Sequence, residues 1–195
     1  MPKPERFFTQ TSVESSPAVL NGILYIGSGN AVYAFLTQTG VQKWRFTLSN
    51  PTGYANSTLA IANGMVYACS FDKMVYALDV QAGVKTWEFA TASIINSSPA
   101  VADGIVYVKS NDGKLKALDA VTGLKKWEFA LAATTVNSSP TVANGIVYRL
   151  QLRHVLEKWV MCRYVQKITG RIYGNGLLGR TRIVAVVSTG LSQTC

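Results

Sequence analysis

An eleven-residue pattern, A-L-D-A-V-T-G-L-K-K-W at 117–127, occurs twice more upstream in the same register, and this recurrence constrains the fold more than any other feature. The earlier copies are A-L-D-V-Q-A-G-V-K-T-W at 77–87 and A-F-L-T-Q-T-G-V-Q-K-W at 34–44. A second landmark, glycine after Asn or Asp, falls at Gly22, Gly64, Gly104 and Gly145, with spacings of 42, 40 and 41 residues. The tryptophans Trp44, Trp87 and Trp127 are spaced by 43 and 40. A period near forty without 3.6-residue periodicity selects repeated sheets over repeated helices.

The third unit divides into four short strands: 97–101, 105–110, 114–119 and 125–129. Asp103-Gly104, Asn111-Asp112-Gly113 and Thr122-Gly123 separate them. Asn21-Gly22, Asn63-Gly64 and Asn144-Gly145 supply the first turn in the other copies. Asx-Gly tolerates the positive φ that a tight hairpin demands. The second strands, such as Ile23-Leu24-Tyr25-Ile26 and Met65-Val66-Tyr67-Ala68, are apolar on both faces. A half-exposed meander alternates instead, so both faces are expected to be covered by neighbouring sheets.

The expected fold is therefore all-β, a β-propeller of four-stranded antiparallel blades with about three and a half blades present. Blades are expected at about 15–47, 56–90 and 96–130, with a partial one at 137–148. Phe7 precedes Pro17 by the same ten residues that separate Phe89 from Pro99. Residues 5–9 thus align with the outermost strand of a neighbouring blade, either because the chain starts mid-repeat or because this strand closes a ring.

The pattern stops at Arg149. Residues 149–195 form a non-repeat basic tail, in which 149–160 reads as a short amphipathic helix and 182–187 as a strand. The tail as a whole, 149–195, is expected to be disordered or not native propeller sequence. A shifted reading frame or a truncated gene would leave such a break. The net charge of +9 belongs mostly to this tail, which has eight Lys/Arg against Glu157 alone. Residues 1–148 hold 11 Lys/Arg against nine Asp/Glu, so the repeats give no electrostatic argument for a nucleic-acid partner. No run approaches the roughly 18 apolar residues of a membrane span. The opening Met1-Pro-Lys-Pro-Glu-Arg does not lead into an apolar signal sequence. Cys69, Cys162 and Cys195 have no metal-binding or redox spacing.

These residues resemble the PQQ-like repeat of quinoprotein alcohol dehydrogenase-like β-propellers, whose tryptophan-docking motif is A-x-D-x-x-T-G-x-x-x-W. Ala117, Asp119, Thr122, Gly123 and Trp127 match it in full. Ala77, Asp79, Gly83 and Trp87 match with Ala82 replacing Thr, and Ala34, Thr39, Gly40 and Trp44 match with Leu36 replacing Asp. The resemblance covers residues 5–148. It implies that each tryptophan stacks on the peptide beside the glycine of the next blade, where only glycine allows so close an approach. An indole of about 150–250 Å² contributes up to about 4–6 kcal/mol when buried. Trp127→Ala is expected to cost about 3–5 kcal/mol.

The resemblance also bears on function. Quinone-holding members use a vicinal cysteine pair, a tryptophan platform and a calcium site. This chain has no adjacent cysteines, and the lone His154 lies in the tail. The sequence reads as a cofactor-free, non-enzymatic scaffold with no catalytic, cofactor-binding or metal residues. Pyrroloquinoline quinone and Ca²⁺ are expected only in an intact relative. The alternative is a fragment of a quinone-dependent alcohol or polyol dehydrogenase lacking its catalytic blades. The partner is expected to be a protein or peptide. Relatives of this kind are typically periplasmic, and an open arc is expected to self-associate through its blade edges. Polar triplets also recur, at Asn56-Ser57-Thr58, Asn96-Ser97-Ser98 and Asn137-Ser138-Ser139. They open the innermost strands, where lining the channel or satisfying turns, contacting a ligand, and glycosylation are the three readings.

Overall fold

The computed structural model describes residues 8–9, 11–51, 53–55, 57–131, 138–143, 146–148, 150–155, 158–169 and 183–186. Three consecutive four-stranded meanders make up most of this. The first contains β1 (Ala18–Leu20), β2 (Ile23–Ser28), β3 (Ala31–Leu36) and β4 (Gln42–Thr47). The second contains β5 (Ala60–Ala62), β6 (Met65–Cys69), β7 (Met74–Asp79) and β8 (Lys85–Ala90). The third contains β9 (Ala100–Ala102), β10 (Ile105–Ser110), β11 (Lys114–Asp119) and β12 (Lys125–Ala130). Every pairing is antiparallel. First strands approach one another from blade to blade, β1 to β5 and β5 to β9, so they form the inner edge of an arc. The architecture is a partial β-propeller.

The hairpins follow from local chemistry. Asn21, Asn63 and Asp103 have φ of 49°, 52° and 50°, and Gly22, Gly64 and Gly104 follow at 73°, 74° and 71°. Two successive positive φ angles define the tight turn whose twist matches the strands it joins.

The apolar core consists of slabs between sheets. One slab joins blades one and two through Tyr25, Val32, Trp44, Val66, Tyr76 and Leu78. The next joins blades two and three through Tyr67, Val75, Trp87, Val106 and Leu118. A third places Tyr107, Leu115 and Leu131 against Val147. Val66, Tyr67, Ala68 and Cys69 are successive residues of one strand and all are buried, as expected for a sheet covered on both faces.

The fourth sheet departs from the sequence-based expectation. It contains β13 (Thr141–Ala143), β14 (Ile146–Tyr148), β15 (Leu150–Val155), β16 (Lys158–Thr169) and β17 (Ile183–Val186), in the order β13-β14-β16-β15 with β17 alongside β16. The helix expected over 149–160 is therefore incorrect, while the strand expected at 182–187 is present as β17. Residues 158–169 are rich in Val, Ile, Tyr, Trp and Thr, which favour extended backbone. β14 also offers an edge, on which Val147 pairs with Ile168. Sheet pairing outweighs the weak helical spacing of the tail. Of the leading strand expected at 5–9, residues 5–7 lie outside the described residues.

Candidate functional site

The repeated polar and aromatic residues converge on the junctions between blades. In each blade the motif alanine lies directly opposite the tryptophan: Ala34 opposite Trp44, Ala77 opposite Trp87 and Ala117 opposite Trp127. The register shifts immediately beyond each pair, leaving Lys43, Thr86 and Lys126 without a cross-strand partner. Such a bulge bends the outer strand and re-aims its side chains. A methyl group on the facing strand leaves room for the indole.

Trp44 and Trp87 then lie on the glycine of the next blade. A Cβ on Gly83 would stand 2.7 Å from Cγ and Cε3 of Trp44, and one on Gly123 would stand 2.6 Å from Cδ2 of Trp87. Both glycines are in the left-handed region, at φ of 69° and 73°. Trp44 Nε1 donates to the Val80 carbonyl at 3.2 Å, and Trp87 Nε1 donates to the Ala120 carbonyl at 3.0 Å. Each carbonyl also accepts a tyrosine hydroxyl, from Tyr25 at 3.2 Å and from Tyr67 at 3.1 Å. Burial, with smaller additions from the Asp79 and Asp119 carboxylates, raises the pKa of these two tyrosines. They therefore remain protonated donors.

Trp127 differs from the other two. It is half-buried, and among the described residues no glycine receives it and no acceptor meets its Nε1. The turn that should carry its glycine is replaced by the uninterrupted strand β16. On the opposite side of the arc, Gly40 has φ of 70° like its counterparts. Among the described residues, no indole faces it.

The motif aspartates act one step away from the indoles. Asp79 Oδ1 accepts the backbone N–H groups of Gln81 and Ala82, and Asp119 Oδ1 accepts those of Val121 and Thr122 together with the Thr122 hydroxyl. They shape the turn that presents the glycine. Lys126, 3.0 Å from Asp119, and the Thr122 N–H hold the Asp119 carboxyl well below the usual carboxylate range.

The inner serines are also engaged in packing. Ser57 and Ser97 are buried and donate to the carbonyls of Cys69 and Lys109 within their own blades. Ser15 does the same to Gly27 at 2.9 Å. The next residue in the triplet crosses between blades: Thr58 N–H donates to Ser98 Oγ at 3.0 Å, and Ser98 N–H donates to Ser139 Oγ at 2.9 Å. Asn96 is half-buried and Ser138 partly so, each with interactions of its own. Asn56 and Asn137 lie outside the described residues.

The sequence reading missed the tyrosines and the inter-blade serine bonds. The tyrosines did carry a signal, because each follows its turn glycine by three residues: Tyr25, Tyr67, Tyr107 and Tyr148. Among the described residues, no group of three or more His, Cys, Asp or Glu converges to hold a metal. The motif carboxylates already serve backbone donors, and Cys69 is a single buried thiol.

Known proteins share this repeat. A quinohemoprotein alcohol dehydrogenase of Comamonas testosteroni is 32% identical over 84 residues, covering 38% of this chain and 12% of the relative. The outer membrane protein assembly factor BamB of Salmonella typhimurium is 31% identical over 90 residues, covering 42% of this chain and 23% of the relative. The chain thus spans under a quarter of the length of either curated relative. The crystal structure of BamB from Moraxella catarrhalis superposes with a TM-score of 0.64 at 20% identity, covering 73% of this chain and 45% of that one. The family model described as outer membrane protein assembly factor BamB, built of PQQ-like repeats, matches residues 5–156, and the chain belongs to that family.

Proposed function

We propose that the chain is a non-catalytic propeller scaffold that binds protein, in the manner of an outer-membrane-protein assembly factor. The observation that carries this reading is the family match over residues 5–156. It is supported by how the recurring side chains are used: indoles, aspartates and serines are engaged in holding blades together, which leaves loops and edges of a rigid frame for recognition. An extracytoplasmic location, close to the outer membrane, is part of the same proposal. The test is direct binding of the purified chain to a purified outer-membrane-protein assembly complex. Saturable binding is expected, and its absence at tens of micromolar would sink the reading.

The second reading is a piece of a quinone-dependent dehydrogenase, favoured by the 32% identity to the Comamonas enzyme. Adding pyrroloquinoline quinone and Ca²⁺ and following alcohol-driven dye reduction separates the two. Turnover would overturn the scaffold reading.

A further inference from the structure

The turn between the third and fourth strands carries an exposed aliphatic side chain in each of the three blades. Val41, Val84 and Leu124 directly follow the docking glycines and are 57%, 63% and 71% exposed. Their carbonyls accept the N–H groups of Leu36, Asp79 and Asp119 at 2.9, 2.8 and 2.8 Å, so the three tips are placed alike. These turns lie beside the first hairpin turns. The Thr37, Val80 and Ala120 N–H groups donate to the Gly22, Gly64 and Gly104 carbonyls at 2.9, 3.0 and 2.9 Å. The tips therefore stand on one axial face of the arc. Blades two and three each have a neighbour on the side that receives an indole, so the exposure of Val84 and Leu124 is no edge effect.

The fold does not ask for an apolar side chain at these positions. Aspartate, glycine and backbone bonds close the turns of blades two and three, and the tip residue takes part through its backbone. The opposite face is different. Among the described residues of 48–131, four large apolar side chains are exposed: Val84, Val121 and Leu124 on the turn face, and Tyr54. Tyr54 belongs to the other face, where its carbonyl accepts the Phe71 N–H of the β6–β7 turn at 3.3 Å. Charge on the turn face is closely balanced. Lys43, Lys85, Lys125 and Lys126 follow the tips, against Asp79, Asp103 and Asp119, and Lys126 lies 3.0 Å from Asp119.

We propose that this turn face rests on a phospholipid surface, with the aliphatic tips inserted at the boundary between headgroups and acyl chains. Equivalent turns on neighbouring blades come out at one end of the arc, so a flat surface meets them together. A specific protein interface takes about 20–30 residues a side with matched shapes, and a few separate aliphatic tips supply neither. A lipid surface needs no complementary shape, and its hold grows with the apolar area buried in it. The lysines beside the tips can lay their stems on the acyl boundary and keep their ammonium groups among the headgroups. The balanced charge of the face suits a zwitterionic headgroup layer, which itself carries both signs. The proposal is independent of the protein-binding reading above.

The test sediments the full chain with neutral phosphatidylcholine vesicles, on which the basic residues of 149–195 gain no attraction. Partition into the pellet at millimolar lipid is expected, weakened about tenfold by Val84→Gln with Leu124→Gln, which remove two of the apolar tips. Both positions are exposed, so urea midpoints should not move. Tyr54→Gln, on the opposite face, should leave partition unchanged. Leu124→Trp should add indole emission that brominated lipid quenches. No partition at millimolar lipid, or partition indifferent to the paired substitution, overturns the proposal. So does binding that needs anionic lipid and vanishes at high salt, because the basic tail is then the contact. If vesicles stay free while the paired substitution weakens binding to the assembly complex, the face is a protein interface and the proposal falls. Complex binding that persists unchanged without vesicle binding defeats this site alone and leaves the scaffold reading standing.

Discussion

Gly123→Ala perturbs the joint between blades two and three at its tightest point. The added methyl meets two separate penalties. The residue sits at φ +73°, where an L side chain costs about 1–2 kcal/mol. Its Cβ would also stand 2.6 Å from Cδ2 of Trp87, and forcing a methyl into a packed contact costs about 1–3 kcal/mol more. The expected total is about 2–5 kcal/mol. Gly104 provides the control: its φ is +71° and a methyl placed on it would meet nothing within 4 Å, so Gly104→Ala should show only the conformational part, about 1–2 kcal/mol. Trp87→Ala alone should cost about 3–5 kcal/mol. In that background Gly123→Ala meets no indole, and its cost should fall to about 1–2 kcal/mol. The double variant should therefore be more stable than the sum of the singles predicts by about 1–3 kcal/mol. Urea unfolding midpoints at constant slope measure each corner of the cycle. Additivity within about 0.5 kcal/mol, or equal costs at Gly104 and Gly123, would refute the docking argument.

Trp127→Ala should cost about 1.5–3 kcal/mol, less than Trp87→Ala, because Trp127 is half-buried whereas Trp87 is buried; the same urea titration ranks the two. Ser97→Ala leaves the Lys109 carbonyl without its buried donor and should cost about 1–3 kcal/mol, whereas Ser98→Ala removes only the inter-blade acceptor of Thr58 N–H, about 0.5–1.5 kcal/mol. Asp119 and Glu128 both have depressed pKa values, Asp119 chiefly through Lys126 and Glu128, down to about 2, through Lys114 and Lys125. Their contribution should be complete above about pH 4.5, the ordinary glutamate value, and decline as pH falls toward 2. Melting temperatures across that range should fall less steeply for Asp119→Asn with Glu128→Gln, and an unchanged slope would contradict the assignment. Burial pushes the Cys69 thiol far up, so a thiol reagent should modify it only as fast as the fold opens; rapid labelling of the native chain at Cys69 would contradict its burial.

The joint was legible in sequence because its parts recur at fixed spacing. Alanine, glycine and tryptophan at three registers require a small residue, a close approach and a large ring at the same places in each blade. The aspartate was harder to read. Asp79 and Asp119 repeat with the tryptophan, yet they work by capping the turn, and the Leu36 blade keeps Gly40 at φ 70° with backbone bonds and the Thr37 and Thr39 hydroxyls in place of a carboxylate. The Ser98 and Ser139 bonds depend on how far apart two sheets stand, which no local pattern records. The tail misled for a different reason. Its apolar spacing suits a helix weakly, but β14 offers an edge to pair with, and long-range pairing overrides local preference.

The two kinds of inter-blade contact have a mechanical consequence. At the junction of blades two and three an indole is pinned on a glycine at the outer end, and a backbone N–H is tied to a serine hydroxyl at the inner end. A single line of attachment would act as a hinge and let one blade swing about it. Two attachments at different radii resist that rotation, each opposing the lever arm of the other. The angle between successive blades, and hence the curvature of the arc, is therefore set by these short contacts. A change of one methyl at either radius should alter the angle at which the next blade is added.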